Sequence, residues 1–360
     1  MKTKETKNSH DFYFKATGIG SVPSLDIEGT CRTILEKFPA IPFWPQFVKS
    51  THLEDMSIQF SEGLPLLRID DENKKLILKP GNMEDELVEF YDHYLSDDID
   101  YFAISREHSA GLYRIIEQIC EAPQKYGPYI KGHTVGPFTF ASGIVDRDGK
   151  SVLYNPDLME TFANGLAIKT WWQAGQLEKS GKESIIFLDE PALSGFGSAF
   201  SPIDRLEVVK ILKGVIDYLK GKTDTLIGIH CCGNTDWSMI LEADPHIVSF
   251  DAFGFMDFFL LYPEEIIHFI KNGGIIAWGI VPTSGATGKE TIDELYLRLL
   301  KGLENLHDQG LEPELIYSNS ILTPACGMGS MDEASALGIM ELLAGLSEKM
   351  RNKCEIKKRL

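Results

Sequence analysis

DRLEVVKILKGVIDYLKGKTDTLIGIHCCGN, residues 204–234, holds one complete structural unit. Over 204–220 the apolar residues Leu206, Val209, Leu212, Ile216 and Leu219 recur at three- and four-residue steps, the spacing that makes one side of a helix apolar. A polar stretch follows, and LIGIHC at 226–231 is then a β-rich run too short for a helix. It ends in a histidine, two cysteines and a glycine turn. A helix feeding a buried strand is the repeating unit of a parallel sheet.

Outward from this unit the same alternation continues. Short apolar runs stand at 16–21 (ATGIGS), 101–105 (YFAIS), 129–135 (YIKGHTV), 184–189 (SIIFLD), 226–231, 247–251 (IVSFD), 275–281 (IIAWGIV) and 315–320 (LIYSNS). Helical periodicity separates them, as at 157–179 and 291–308. Eight strands alternating with helices predict an α/β fold, a single (β/α)8 TIM barrel that takes up 1–360 as one domain. The irregular part follows the first strand. FPAIPFWPQF is too proline-rich for a regular element, and LLRIDDENKKLILK reads as two strands around a polar turn, so 39–82 is expected to be an insertion carrying a hairpin.

Composition excludes several classes of partner. A formal net charge of −18 argues against a nucleic acid, whose phosphates are bound by lysine and arginine. The start of the chain is polar and no apolar run reaches membrane length, so no membrane partner is expected and the expected location is cytoplasmic. Cys31, Cys120, Cys231, Cys232, Cys326 and Cys354 are too sparse for a disulfide scaffold and suit a reducing compartment.

In a barrel of this kind the chemistry sits at the C-terminal ends of the strands. His230 and Cys232 share one face of their strand and Cys231 takes the other. A second sulfur at a strand end is Cys326, in the TPACGMG loop after the eighth run. Asp251 closes the apolar IVSFD, where a buried carboxylate is costly without a partner. Imidazole, two thiolates and a carboxylate form a zinc-like set, so His230, Cys232, Asp251 and Cys326 are the expected metal ligands. Such a zinc can hold an incoming thiol as its nucleophilic thiolate, and no protein general base is assigned. Trp44, Trp278 and His133 read as core, the last as a hydrogen-bonded barrel histidine.

GIGSVP at 18–23, KGHTVGP at 131–137, LDEPAL at 188–193, HCCGN at 230–234 and PACGMG at 324–329 stand in an order that resembles the catalytic half of cobalamin-independent methionine synthase. They also resemble its relatives in the uroporphyrinogen decarboxylase superfamily, including methylcobamide:coenzyme M methyltransferases. The resemblance implies zinc on the four residues above. It also implies that Ile19, Gly20 and Ser21 hold the carboxylate end of homocysteine while Asp189 meets its ammonium, with Glu107 as a second acid. Three departures shape the expectation. Those synthases carry a second barrel for methyl-folate where this chain has room for one, they use glutamate where Asp251 stands, and CGNTDW is closer to the corrinoid-dependent relatives. The expected reaction is therefore methyl transfer from a methylated corrinoid such as methylcobalamin, free or on a corrinoid carrier protein, to a thiol. Homocysteine, giving methionine, is the first choice of acceptor and coenzyme M the alternative; a uroporphyrinogen decarboxylase-like enzyme and a non-catalytic zinc-bound barrel subunit are the competing readings.

Overall fold

A computed structural model describes residues 11–79, 84–146, 149–196, 204–284 and 290–359. The strands are β1 (Lys15–Ala16), β2 (Leu67–Asp70), β3 (Lys75–Leu78), β4 (Tyr129–Val135), β5 (Glu183–Asp189), β6 (Leu226–Cys231), β7 (Ile247–Phe250), β8 (Ile275–Val281) and β9 (Ser320–Pro324). Seven of them form one parallel sheet in the order β1-β9-β8-β7-β6-β5-β4, with helices between, and the sheet curls into a TIM-barrel-like α/β fold. The expected hairpin is present: β2 and β3 pair antiparallel, Leu67 opposite Leu78 and Asp70 opposite Lys75.

The proline-rich stretch lies in the gap between β1 and β4. Lys131 N–H donates to the Pro42 carbonyl (2.8 Å) and Trp44 N–H to the Lys131 carbonyl (2.9 Å) on one side. On the other, Gln46 N–H donates to Gly20 (3.1 Å) and Val22 N–H to Gln46 (2.9 Å). Residues 42–47 thus run as an eighth stave, in parallel bridges Phe43 to Lys131 and Ser21 to Gln46. Pro42 and Pro45 have no N–H to give, which reduces the ladder to isolated bridges.

Three strand expectations are corrected. Of 16–21 only Ala16 lies in a strand, β1 ending there, and Ser21 makes an isolated bridge to Gln46. Residues 101–105 do not join the sheet; Ile99–Phe102 is a short 3-10 turn. The backbone there is satisfied by side chains instead: Lys169 Nζ donates to the Phe102 carbonyl (3.0 Å), the Tyr113 hydroxyl to that of Ile104 (2.7 Å), and Ser105 N–H to Glu62 (2.7 Å). At 315–320 the chain is helical over Pro313–Ser318 and the strand starts only at Ser320. Pro313 occupies the first helical turn, where its fixed φ and missing N–H cost nothing.

Strand alternation turns Ile185, Phe187 and Asp189 to one face of β5. Ile185 and Phe187 pack with Ile247, Ile275, Ala277 and Ile321 in a small buried cluster apart from the larger core under the helices. Asp189 is the next residue on that face toward the strand's C-terminal end. Among the described residues no helix is long and apolar enough to cross a membrane.

Candidate functional site

Register places the polar residues side by side at the strand ends. Asp189 lies opposite His230, and His230 opposite Ser249. Ser249 Oγ and His230 Nδ1 are 2.9 Å apart, which fixes the ring and leaves Nε2 as the free nitrogen. That Nε2 is buried without a hydrogen-bond partner. The Cys232 and Cys326 sulfurs complete a group whose donor atoms all lie within 4.8 Å of one another.

Electrostatics suit a cation. A hydrogen bond from the Cys232 thiol and the nearby His230 push the Cys326 thiol down to about 4 against the opposing effect of burial. The same shared proton and burial push Cys232 up. The two sulfurs thus share a proton beside His230, one thiol pushed down and the other up. A donor set of one imidazole and two sulfurs is what zinc prefers over magnesium or calcium, and the residues present fit it.

Asp251 lies outside that group. The strand stops at Phe250 and Asp251 becomes the N-cap of the helix Ala252–Phe259, its Oδ1 accepting from Gly254 N–H at 2.7 Å. Burial raises its pKa, and the capping amides work against that rise. The cost of a half-buried carboxylate is thus met by backbone N–H groups. Asp251→Ala is accordingly expected to destabilise the chain by about 0.5–2 kcal/mol while leaving zinc content unchanged, measured by denaturant unfolding and elemental analysis on the same sample. Zinc loss without loss of stability would place Asp251 on the metal.

The three donors line a cavity of about 320 Å³ together with Ile19, Ser21, Gln46 and Asp189. Asp189 is buried, and its Oδ1 has no hydrogen-bond partner. Burial pushes its carboxyl up to about 6, with Lys131 drawing it the other way. Lys131 is itself fully buried: it donates to the Ile19 carbonyl, and its ammonium stands 4.4 Å from the centre of the Phe187 ring. Burial lowers the lysine to about 8. Asp189 thus lines the cavity with one carboxylate oxygen, Oδ1, buried behind the wall without a hydrogen-bond partner.

Ser21 is tied to the loop that carries Cys326. Its carbonyl accepts from Met328 N–H (2.9 Å) and its hydroxyl from Gly329 N–H (3.2 Å). A Cβ on Gly327 would come within 2.2 Å of Ser21 Oγ, so a larger residue there would have to turn the Ser21 hydroxyl aside. Gly20 acts through packing: a Cβ on it would meet His133 Nδ1 at 2.8 Å. Glu107 is exposed and is not part of the cavity wall. His133 does not make the expected hydrogen bonds; both ring nitrogens are buried without a partner, and the ring stacks on Trp44 with centroids 4.3 Å apart. Trp44 and Trp278 are core, Trp278 Nε1 donating to Ser320 Oγ at 3.0 Å.

Gln46, Asp55 and Met56 also wall the cavity, and sequence reasoning did not single them out. All three lie in the stretch set aside as irregular. A larger cavity of about 780 Å³, reaching His246 and Gly273, opens at the N-terminal ends of β7 and β8. That end of a barrel serves stability, so its size does not mark it as the reactive site.

No family model and no curated protein matches the sequence. Among solved structures the chain is similar to a B12-independent methionine synthase from Shewanella sp. W3-18-1 in complex with selenomethionine, with 18% identity, 67% of each chain covered and a TM-score of 0.46. It is also similar to a GH113 beta-mannanase from Alicyclobacillus acidocaldarius in complex with ManMIm, with 11% identity, 95% of this chain and 98% of that one covered and a TM-score of 0.39.

Proposed function

We propose that the chain is a zinc-dependent thiol methyltransferase that methylates homocysteine to methionine, with a methylated corrinoid, free or on a carrier protein, as donor. The observation that carries this reading is that the His230, Cys232 and Cys326 donors and the unpartnered Asp189 carboxylate open into one cavity. Zinc on these donors would keep a bound thiol in its nucleophilic thiolate form at neutral pH.

The chain's own residues do the rest. Asp189 takes the substrate ammonium in a charge-assisted hydrogen bond. Val48, Met56 and Pro191 give the cavity apolar walls that keep water from the sulfur. A methylated corrinoid, when bound, would supply the methyl group to the substrate sulfur and keep the electron pair of the bond that carried it. No lysine or arginine lines the cavity among the described residues. Asp189 offers a carboxylate to an ammonium, which homocysteine has and coenzyme M lacks, and a polyanionic donor would gain nothing from a chain of net charge −18.

The test is demethylation of methylcobalamin by the zinc-loaded protein, followed through the corrin absorbance. The rate is expected to require both protein and homocysteine. A rate equal to that of homocysteine alone would overturn the reading.

A further inference from the structure

We propose that Gln46 is a specificity-determining residue of this site, a neutral acceptor that reads an N–H of the ligand alongside Asp189; the inference rests on the proposed thiol substrate.

Hydrogen-bond polarity fixes which way the Gln46 amide faces. Gln46 stands on the proline-rich stave, almost fully buried, with its backbone bonded to Gly20 and Val22 on either side of Ser21. Its side chain begins a relay that runs away from the cavity. The far end of the relay is the His108 carbonyl, which can only accept. Gln59, fully buried, must therefore turn its Nε2 to His108, at 2.6 Å, and its Oε1 to Gln46. Gln46 in turn spends its Nε2 on that oxygen, at 3.1 Å. Turning either amide over would set like groups face to face, and turning Gln59 would strip the His108 carbonyl of its donor.

What remains is Gln46 Oε1. It accepts no hydrogen bond from the described residues, and unlike the buried unpartnered atoms of His133 or Asp189 it is not sealed from the surface. Gln46 lines the same cavity as Asp189 and the metal donors. The relay thus holds an acceptor toward the ligand, and a ligand able to use it must bring an N–H. An ammonium offers three N–H groups where one carboxylate oxygen takes one. Asp189 supplies the charge, Gln46 a second direction, and together they distinguish an amine-bearing thiol from the same thiol without the amine.

The experiment is calorimetric binding of homocysteine and of 4-mercaptobutanoate, which keeps the chain, thiol and carboxylate and lacks the amine, to the zinc-loaded full chain. Wild type is expected to prefer homocysteine. Gln46→Met, close in shape but without an acceptor, is expected to cut that preference about tenfold, the lower end of what a hydrogen bond to a charged group is worth. Gln46→Glu is expected to retain it, since a neutral carboxyl can donate its O–H to Gln59 Oε1 as the amide did and keep its carbonyl oxygen toward the ligand. Zinc content and thermal unfolding of each variant establish that the site is intact. An unchanged preference in Gln46→Met, or equal loss of affinity for both thiols, would overturn the role of Gln46 while leaving the methyltransferase reading in place. Failure of wild type to bind either thiol would overturn both.

Discussion

Cys326→Ser is expected to strip the chain of zinc and to bring homocysteine-dependent demethylation of methylcobalamin to background. Cys326 is the sulfur whose thiol the Cys232 hydrogen bond and His230 push down. A serine hydroxyl at the same place does not ionise near neutral pH and offers zinc a far poorer ligand. Loss of a partner that merely orients a ligand costs about 10–100-fold in metal affinity, so loss of the ligand itself should exceed about a hundredfold. The measurement is elemental analysis after dialysis against a chelator, with wild type expected to keep one zinc per chain. Cys232→Ser should behave alike, since the two sulfurs share one site. Full zinc occupancy in both variants would remove the metal centre from the account.

Asp189→Asn is expected to lower kcat/KM for homocysteine about ten- to hundredfold, the value of a charge-assisted hydrogen bond of roughly 1.5–3 kcal/mol. Mercaptoethanol, which has no amine, should lose much less. The sign of the pH dependence follows from the same group. Burial raises the Asp189 carboxyl to about 6, so it is ionised above that pH and neutral below it. Use of homocysteine should fall as pH drops through about 6, and that step should vanish in Asp189→Asn. Asp189 and the three metal donors sit on different residues of the wall, so zinc content should survive the change. Equal losses for both thiols would mean that Asp189 serves only to build the site.

The parts of the fold that could be read from sequence are those in which an apolar run is both short and flanked by helix periodicity. The runs at 129–135, 184–189, 226–231 and 275–281 all lie within strands of the sheet. Where the chain solves its backbone bonding in another way, the pattern misleads. The run at 101–105 looks like a strand yet is satisfied by side chains, those of Lys169 and Glu62 from far away in sequence and that of Tyr113 from the next helix. Residues 42–47 look unlike a strand because of their prolines, yet they lie between β1 and β4, where only a few bridges are needed.

The site divides along the same line. His230 and Cys232 alone say little, since buried cysteines and hydrogen-bonded histidines are common at strand ends; Cys326 in a second strand-end loop makes the set legible, and the structure brings the three together. Asp251 stood out for its cost of burial, but sequence does not say whether a metal or a helix N-terminus meets that cost; the Gly254 amide does so here. Gln46 was invisible because its orientation depends on Gln59 and on the His108 carbonyl, 62 residues away. A hydrogen-bond relay closes only in three dimensions.

The central claim is that a substrate sulfur meets zinc held by His230, Cys232 and Cys326. Zinc-edge X-ray absorption of the zinc-loaded protein, with and without selenohomocysteine, tests it most directly. A nitrogen and sulfur shell is expected in the free protein, with an added selenium neighbour when the ligand is present. A zinc shell left unchanged by saturating selenohomocysteine would contradict it.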